Sequence, residues 1–192
     1  GDVGLKNSLS KTKVSKNLKY SFKNPKFENM FELENIKKYS SKIYNIVKNV
    51  NKSKGIVFIY SQFIGSGIIP LALALETQGY KKFDSSLLSK KYESKQNKGK
   101  YIIISGDKDL SSNAYRDYIK IENQNKNGEK VKIIIGSQTA AEGLDFKYIR
   151  EIHILDPWFH YNRIEQIIGR GIRNCSHIEL PPKDRNVKIF LY

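Results

Sequence analysis

The sequence has very little cysteine and no long hydrophobic run, and both absences limit where the protein can work. Cys175 is the single cysteine, so an internal disulfide is excluded and a reducing, intracellular compartment is expected. No apolar run is long enough to span a bilayer, and the lysine-rich N-terminus lacks a signal-peptide pattern. We therefore expect neither secretion nor a membrane partner.

The sequence also lacks the common patterns for binding phosphate and metal. It contains no G-x-x-x-x-G-K-[ST] loop and no adjacent carboxylate pair of the kind that holds magnesium beside a nucleotide. The histidines at 153, 160 and 177 do not have the spacing of a zinc site, so no metal ligands are predicted. No nucleophile and base are arranged for covalent catalysis.

Lysine, in contrast, is abundant and unevenly distributed. The net charge is +15, and residues 1–55 hold 13 lysines against 4 acidic residues, while residues 81–100 hold 7 against 2. A cationic arm and a cationic internal segment suit a polyanion such as nucleic acid. A compositional bias that only keeps the surface solvated is the alternative.

Apolar periodicity divides the chain into a lead-in and one α/β domain. Residues 1–30 are polar without periodicity and are predicted to be a flexible basic lead-in or linker. Residues 31–192 alternate helical patterns with short apolar runs, which predicts a mainly parallel sheet flanked by helices, with residues 81–100 as a basic insertion. Strands are expected at 56–60, 101–104, 131–135, 152–155 and 187–191. Ligands of such sheets bind beyond the carboxyl ends of the strands.

One predicted helix is apolar on one side and cationic on the other. In the run Q-I-I-G-R-G-I-R, Gln166, Arg170 and Arg173 share with Arg163 an arc roughly 80° wide, and isoleucines fill the opposite side. Arginine suits bidentate contact with phosphate oxygens, so the pattern indicates a phosphate-binding helix. A solvated amphipathic face is the alternative. Asn162, with a glutamate three residues later, predicts the cap that begins this helix.

A turn rich in small residues follows the predicted third strand. It reads G-S-Q-T-A-A-E-G-L-D from Gly136 to Asp145, and small residues allow a backbone to approach a ligand closely. Asp145 is suited to accept from a sugar hydroxyl, and Ser137 or Thr139 to donate to a phosphate. A tight connection that needs small residues only for packing is the alternative.

Taken in order, these segments resemble the motifs of superfamily 2 helicases. The run T-A-A-E-G-L-D at 139–145 resembles motif V, and 166–173 resembles motif VI. The run I-V-F-I-Y-S-Q at 56–62 is similar to motif IV, and I-S-G-D at 104–107 to the strand and turn between them. The segments at 153–158, 164–173, 174–181 and 185–190 more narrowly resemble the helicase-type ATPases of large cytoplasmic DNA viruses. That group includes the poxvirus nucleoside triphosphate phosphohydrolase I and early-transcription-factor types.

The resemblance implies a second RecA-like lobe, with ATP bound in a cleft against a first lobe of the same protein. Under it, Arg170 and Arg173 are arginine fingers and Gln166 also faces the cleft, while Gly143 and Asp145 lie near the nucleotide. The resemblance further implies contacts to the DNA or RNA backbone from Ser61, Thr139, Ser105 and Gly106. The phosphate loop and the magnesium ligands belong to the first lobe, so this chain alone is expected to be inactive.

The viral resemblance also implies the cytoplasm or the virion as location and the transcription machinery as partner, and it assigns Cys175 and His177 a structural role. Glu142 stands where DEAD-box proteins frequently have arginine, and Gln166 stands where they have histidine. Both differences argue against membership of the DEAD-box RNA helicases. A nucleic-acid-binding module that keeps the fold without using ATP is the alternative function.

Overall fold

A parallel sheet of six strands forms the middle of the protein. The computed structural model describes residues 2–14, 17–111, 113–141, 144–157 and 161–192. Its strands are β1 Leu9–Val14, β2 Asn17–Phe22, β3 Ile56–Tyr60, β4 Tyr80–Lys82, β5 Gly99–Ile104, β6 Ile133–Gly136, β7 Ile149–Ile154 and β8 Lys188–Leu191. The main sheet has the order β4-β5-β6-β3-β7-β8, with all neighbours parallel, and β1 pairs antiparallel with β2. The predicted α/β class is therefore confirmed.

Helices cover both faces of this sheet. They are α1 Asp2–Ser8, α2 Leu33–Tyr39, α3 Ser41–Val50, α4 Ile69–Thr77, α5 Lys108–Ser111, α6 Ala114–Ile121, α7 Gln138–Ala141 and α8 Tyr161–Gly171. Alternate residues of β3 enter different cores, because successive side chains on a strand point to opposite faces. Val57 and Ile59 pack in the core with α2, α3 and α4, whereas Ile56, Phe58 and Tyr60 pack in the core with α6, α7 and α8.

Helix α4 is apolar all round and is buried from Pro70 to Glu76. It is only 9 residues long, and none of the helices in the described ranges has both the length and the apolar character needed to cross a membrane.

The carboxyl ends of the central strands are level with one another. Across the sheet, Ile104 of β5 pairs with Gly136 of β6, Gly136 with Tyr60 of β3, and Tyr60 with Ile154 of β7. The turns that follow these residues therefore emerge side by side at one edge, which we call the carboxyl edge. Three of the segments singled out by the sequence lie there.

The N-terminal region differs from the prediction. Residues 1–30 were expected to be flexible, but β1 and β2 form a hairpin, and Leu18, Tyr20 and Phe22 are buried in the core that contains α4. In β2 these three apolar residues alternate with polar ones, a period of two that is typical of a half-buried strand. The pattern was missed in the sequence because it is short and lies among lysines.

The segment 81–100 is also ordered and packs against the hairpin. Leu87 and Leu88 are buried, and Tyr20 N–H donates to the Leu87 carbonyl at 2.7 Å. The buried Glu76 carboxylate of α4 accepts from the backbone N–H groups of Leu87 and Leu88 at 2.7 and 2.6 Å, and from the Tyr101 hydroxyl at 2.7 Å. A single carboxylate thus joins α4, β5 and this segment.

Candidate nucleotide and nucleic-acid surfaces

Helix α8 presents its polar side away from the sheet. Ile164 and Ile167 are buried, and a side chain added at Gly171 would meet Ile149 and Ile152 of β7 at 3.1 to 3.3 Å, so the end of the helix lies directly against the start of this strand. Gln166 is exposed on the polar side, one turn before Arg170. The amphipathic pattern therefore holds for Ile164 and Ile167, whereas Ile172, which was expected on the apolar side, lies beyond the end of the helix and is exposed.

The bounds of α8 correct two details of the prediction. The helix begins at Tyr161, so Asn162 lies inside it and is not its cap, although the residues immediately before, 158–160, lie outside the described ranges. The helix ends at Gly171, so Arg173 lies two residues beyond its last turn. Arginine at this end is favourable, because the C-terminus of a helix carries partial negative charge.

A carboxylate from the preceding loop joins the two arginines. Asp145 Oδ2 lies 2.8 Å from Arg173 Nη1, and Asp145 Oδ1 lies 3.7 Å from Arg170 Nη1. The loop is held to the helix end by a hydrogen bond from Phe146 N–H to the Arg170 carbonyl at 3.1 Å. The structure thus brings together Asp145, Arg170 and Arg173, whereas Gly143 lies outside the described residues.

The exposure of these side chains limits what the cluster contributes to folding. Arg170 is 21% exposed, and Arg173 and Asp145 are 49% and 50% exposed. Ion pairs at this exposure contribute about 0–1 kcal/mol each. The cluster therefore holds two guanidinium groups near solvent and adds little to the stability of the fold.

The segment after the arginines is anchored to the start of β7. His177 Nε2 lies 2.6 Å from the Ile149 carbonyl oxygen, so this nitrogen carries the proton, and Nδ1 accepts from the Ser176 hydroxyl at 2.8 Å. Tyr148 N–H donates to the Ser176 carbonyl at 3.1 Å. These bonds fix the chain just after Arg173. Cys175 is exposed, with a φ of 64°.

Two of the residues predicted to contact nucleic acid are exposed together at the carboxyl edge. Thr139 Oγ1 lies 3.4 Å from the point where a side chain on Gly106 would begin, and both residues are exposed. Ser105 is buried, and its hydroxyl accepts from Asp107 N–H at 3.3 Å while its own N–H donates to Ser111 Oγ at 3.0 Å. Ser105 therefore builds the turn that presents Gly106.

Ser61 lies at the same edge, but it is fully buried. Its hydroxyl donates to Asp156 Oδ2 at 2.5 Å and accepts from Phe63 N–H at 3.2 Å, and its N–H donates to the Gly136 carbonyl at 3.0 Å. A contact from this side chain to a phosphate would require the turn to open, so its assignment stays a prediction. Asp156, which was not among the predicted site residues, is the partner that holds Ser61.

Comparison with known proteins shows that the chain is similar to the C-terminal domains of helicases. The chain matches the family described as helicase conserved C-terminal domain over residues 39–175. It is 34% identical over 161 residues to a protein of Acanthamoeba polyphaga mimivirus named as an ATP-dependent RNA helicase, R563, with 82% of this chain and 26% of that protein covered. It is 33% identical over 185 residues to the termination factor NPH-I homolog of African swine fever virus, with 80% and 26% covered.

A solved structure shares the fold. The C-terminal part of the Fun30 ATPase domain superposes with a TM-score of 0.56 at 19% identity, covering 79% of this chain and 40% of that one. The chain spans about a quarter of the length of the two viral relatives.

Proposed function

We propose that this chain supplies the arginine fingers of a two-lobed, ATP-driven nucleic-acid motor. The chain belongs to the helicase conserved C-terminal domain family, and it has the RecA-like fold of the second lobe of such proteins. The cluster of Asp145, Arg170 and Arg173 carries this proposal. Two permanently charged, partly exposed guanidinium groups fixed at one helix end suit the charge that develops on a transferring phosphoryl group.

Each side chain has a distinct part in this proposal. Arg170 and Arg173 reach the γ-phosphate across the cleft, and Gln166, one turn earlier on α8, faces the same cleft. Asp145 orients both guanidinium groups before ATP arrives and then exchanges with the phosphate or the ribose. The phosphate loop and the magnesium ligands are assigned to the first lobe, because the sequence contains neither a phosphate-loop pattern nor an adjacent carboxylate pair.

The carboxyl edge is proposed as the nucleic-acid surface. Gly106 and Thr139 are exposed there, and they suit contact with the sugar-phosphate backbone of DNA or RNA, which positions a strand without reading its bases. The relatives named as a termination factor and an RNA helicase support a role in viral transcription.

The test is ATP hydrolysis by the protein that contains both lobes, with and without DNA or RNA. Arg170→Ala should lower the stimulated rate by roughly 10³-fold, and Arg170→Lys should restore little of it, because lysine lacks the planar fork. Arg116→Ala is the matched control, since Arg116 is exposed on α6, apart from the cluster. Equal rates in Arg170→Ala and Arg116→Ala would refute the arginine-finger role.

A second candidate function is a nucleic-acid-binding module that does not use ATP. The exposure of Gly106 and Thr139 at the carboxyl edge favours it, because a strand can bind there without a nucleotide in the cleft. Tight binding of nucleic acid without hydrolysis in the wild-type two-lobed protein would select this candidate.

A further inference from the structure

The N-terminal hairpin lies along the carboxyl edge. Lys13 Nζ lies 2.7 Å from Asp109 Oδ1 of α5, the helix that directly follows the Ser105–Gly106 turn. On the other side, Leu5, Leu9 and Tyr20 line a groove of about 180 Å³ with Gly65 and Ile69, just after β3. The hairpin therefore spans the turns that follow β5 and β3.

The lysines of β1 point towards this edge. Directly opposite residues of an antiparallel pair share a face of the sheet, and Lys11 is opposite Tyr20 while Lys13 is opposite Leu18. Since Leu18 and Tyr20 are buried against the body, Lys11 and Lys13 lie on the face turned towards the protein, yet both are exposed. Spaced two residues apart, they are about 7 Å from each other.

The hairpin is strongly basic, and its lysines have different surroundings. Residues 9–22 contain four lysines and no acidic residue. Lys19 Nζ donates to the Ser86 carbonyl at 2.6 Å and to the Leu88 carbonyl at 3.3 Å, so it attaches the hairpin to the body. Lys11 and Lys6 line the groove beside Gly65 instead. Among the lysines of the hairpin that the structure describes, Lys11 and Lys13 are therefore the pair that faces the edge.

Asp109 occupies the position that an external anion would take. Its hydrogen bond to Lys13 holds the pKa of this carboxyl below its usual value, and the Lys11 charge acts in the same direction. Both partners of the ion pair are well exposed, at 53% and 40%, so an oxygen of another anion can replace the carboxylate.

We propose that the β1–β2 hairpin is a second wall of the nucleic-acid site, in which Lys11 and Lys13 bind backbone phosphates of a strand lying along Gly106 and Thr139. This inference rests on the proposed function, because it assumes that the carboxyl edge is the nucleic-acid surface. In this arrangement Asp109 stands in for a phosphate until the strand displaces it. The ligand chemistry is a chain of phosphodiesters, from DNA or RNA.

The test measures binding of the full-length protein to labelled single strands of DNA and RNA of one sequence, and to their duplexes, by fluorescence anisotropy without ATP. Lys11→Glu/Lys13→Glu should raise Kd at least 10-fold. The matched control is Lys52→Glu/Lys54→Glu, which makes the same charge change just before β3, at the opposite edge of the sheet, and should raise Kd less than 3-fold. With Lys11→Ala/Lys13→Ala, the slope of log K against log salt should fall by roughly one to two.

A third variant changes binding in the opposite direction. Asp109→Asn frees Lys13 and should tighten binding several-fold, which a misfolded hairpin would not do. Equal losses in the two glutamate pairs, or no tightening in Asp109→Asn, would overturn the proposal. Because the binding assay contains no ATP, the hairpin proposal can be refuted while ATP hydrolysis still depends on Arg170. Conversely, the hairpin lysines can prove necessary for binding while hydrolysis does not depend on Arg170, so the two proposals are tested separately. A lower Kd for the DNA strand or for the RNA strand identifies which of the two nucleic acids the site prefers.

Discussion

At the scale of single residues, Asp145 is shared between two arginines, one in the last turn of α8 and one just beyond it. Its two oxygens lie 2.8 Å from Arg173 and 3.7 Å from Arg170. A carboxylate in this position fixes the spacing of the guanidinium groups. From the sequence, Asp145 was predicted to accept from a sugar hydroxyl. Its ion pairs with the arginines were not predicted, because they depend on the residue at which α8 ends, and residue spacing does not determine that residue.

The shared carboxylate should matter little for stability. In a double-mutant cycle with Asp145→Asn and Arg173→Ala, we expect a coupling free energy of about 0.2–1 kcal/mol, because both side chains are half exposed. Denaturant unfolding of the four proteins measures it, and the exposed pair Asp117–Lys120 on α6, at 3.2 Å, provides the matched control. A coupling several times larger than that of the control would mean that the cluster serves mainly to hold the fold.

The same three variants should behave differently in catalysis. In the two-lobed protein, the losses of ATP hydrolysis from Asp145→Asn and Arg173→Ala should not add, because residues that act as a unit are strongly non-additive. Additive losses would indicate that Asp145 works independently of the arginine, for example on the ribose.

At the scale of elements, α8 contains two glycines in different surroundings. Among the described residues, a side chain added at Gly169 would meet no atom within 4 Å, whereas one at Gly171 would press on β7. Glycine inside a helix is destabilising by about 0.5–1 kcal/mol relative to alanine. Packing within the described part of the chain therefore leaves room for a larger residue at Gly169.

Gly169→Ala should consequently stabilise the 192-residue chain by about 0.5–1 kcal/mol in denaturant unfolding. In the two-lobed protein it should lower ATP hydrolysis if this side of α8 faces the nucleotide as proposed, because the added methyl group then stands beside Arg170. A stable variant with full activity would show that this side of α8 does not face the nucleotide.

The elements also show how far the sequence was informative. The strands at 56–60 and 101–104 were predicted within a few residues of their observed bounds, because fully buried parallel strands are continuous apolar runs. Strand β4, with only three residues Tyr80–Lys82, carries no such run and was not predicted. The hairpin was missed because it gains its stability from Leu87, Leu88 and the α4 core, which are distant in the sequence.

The site was predictable to a similar degree. The residue types and spacing of α8 predicted its polar face, and the burial of Ile164 and Ile167 agrees with it. The burial of Ser61 was not predictable, because its partner Asp156 is 95 residues away and meets it only when β3 and β7 become neighbours. Lys13 and Asp109 are similarly 96 residues apart.

At the scale of the whole molecule, Glu76 connects the hairpin with the sheet. It is 2% exposed, and burial raises its pKa from 4.5 to about 7, although the hydrogen bonds from Leu88, Leu87 and Tyr101 oppose this shift. Between these pH values the folded protein keeps a proton that the unfolded chain loses. The contribution of Glu76 to the stability of the fold is therefore complete below about pH 4.5 and is lost as the pH rises through about 7.

Glu76→Gln tests this connection. At pH 5 the folded protein holds Glu76 as the neutral acid, in which both side-chain oxygens can still accept a hydrogen bond. The amide nitrogen of glutamine cannot accept, so one buried N–H of Leu87 or Leu88 loses its acceptor, and stability at pH 5 should fall by about 1–3 kcal/mol. The difference from wild type should shrink as the pH rises from 5 to 8. Denaturant unfolding at several pH values measures it, with Glu34→Gln, which removes an exposed carboxylate on α2, as control. A difference that grows with pH would refute the assignment.

Strand β7 begins at Ile149, against the end of α8 that carries the arginines, and ends at Ile154, on the carboxyl edge. Six residues of strand measure about 20 Å. The strand lies inside a sheet that is buried on both faces, because its neighbours pack against helices on either side. The proposed nucleotide surface and the proposed nucleic-acid surface are therefore separated by the length of this one strand, and the core that surrounds it is the shortest physical connection between them.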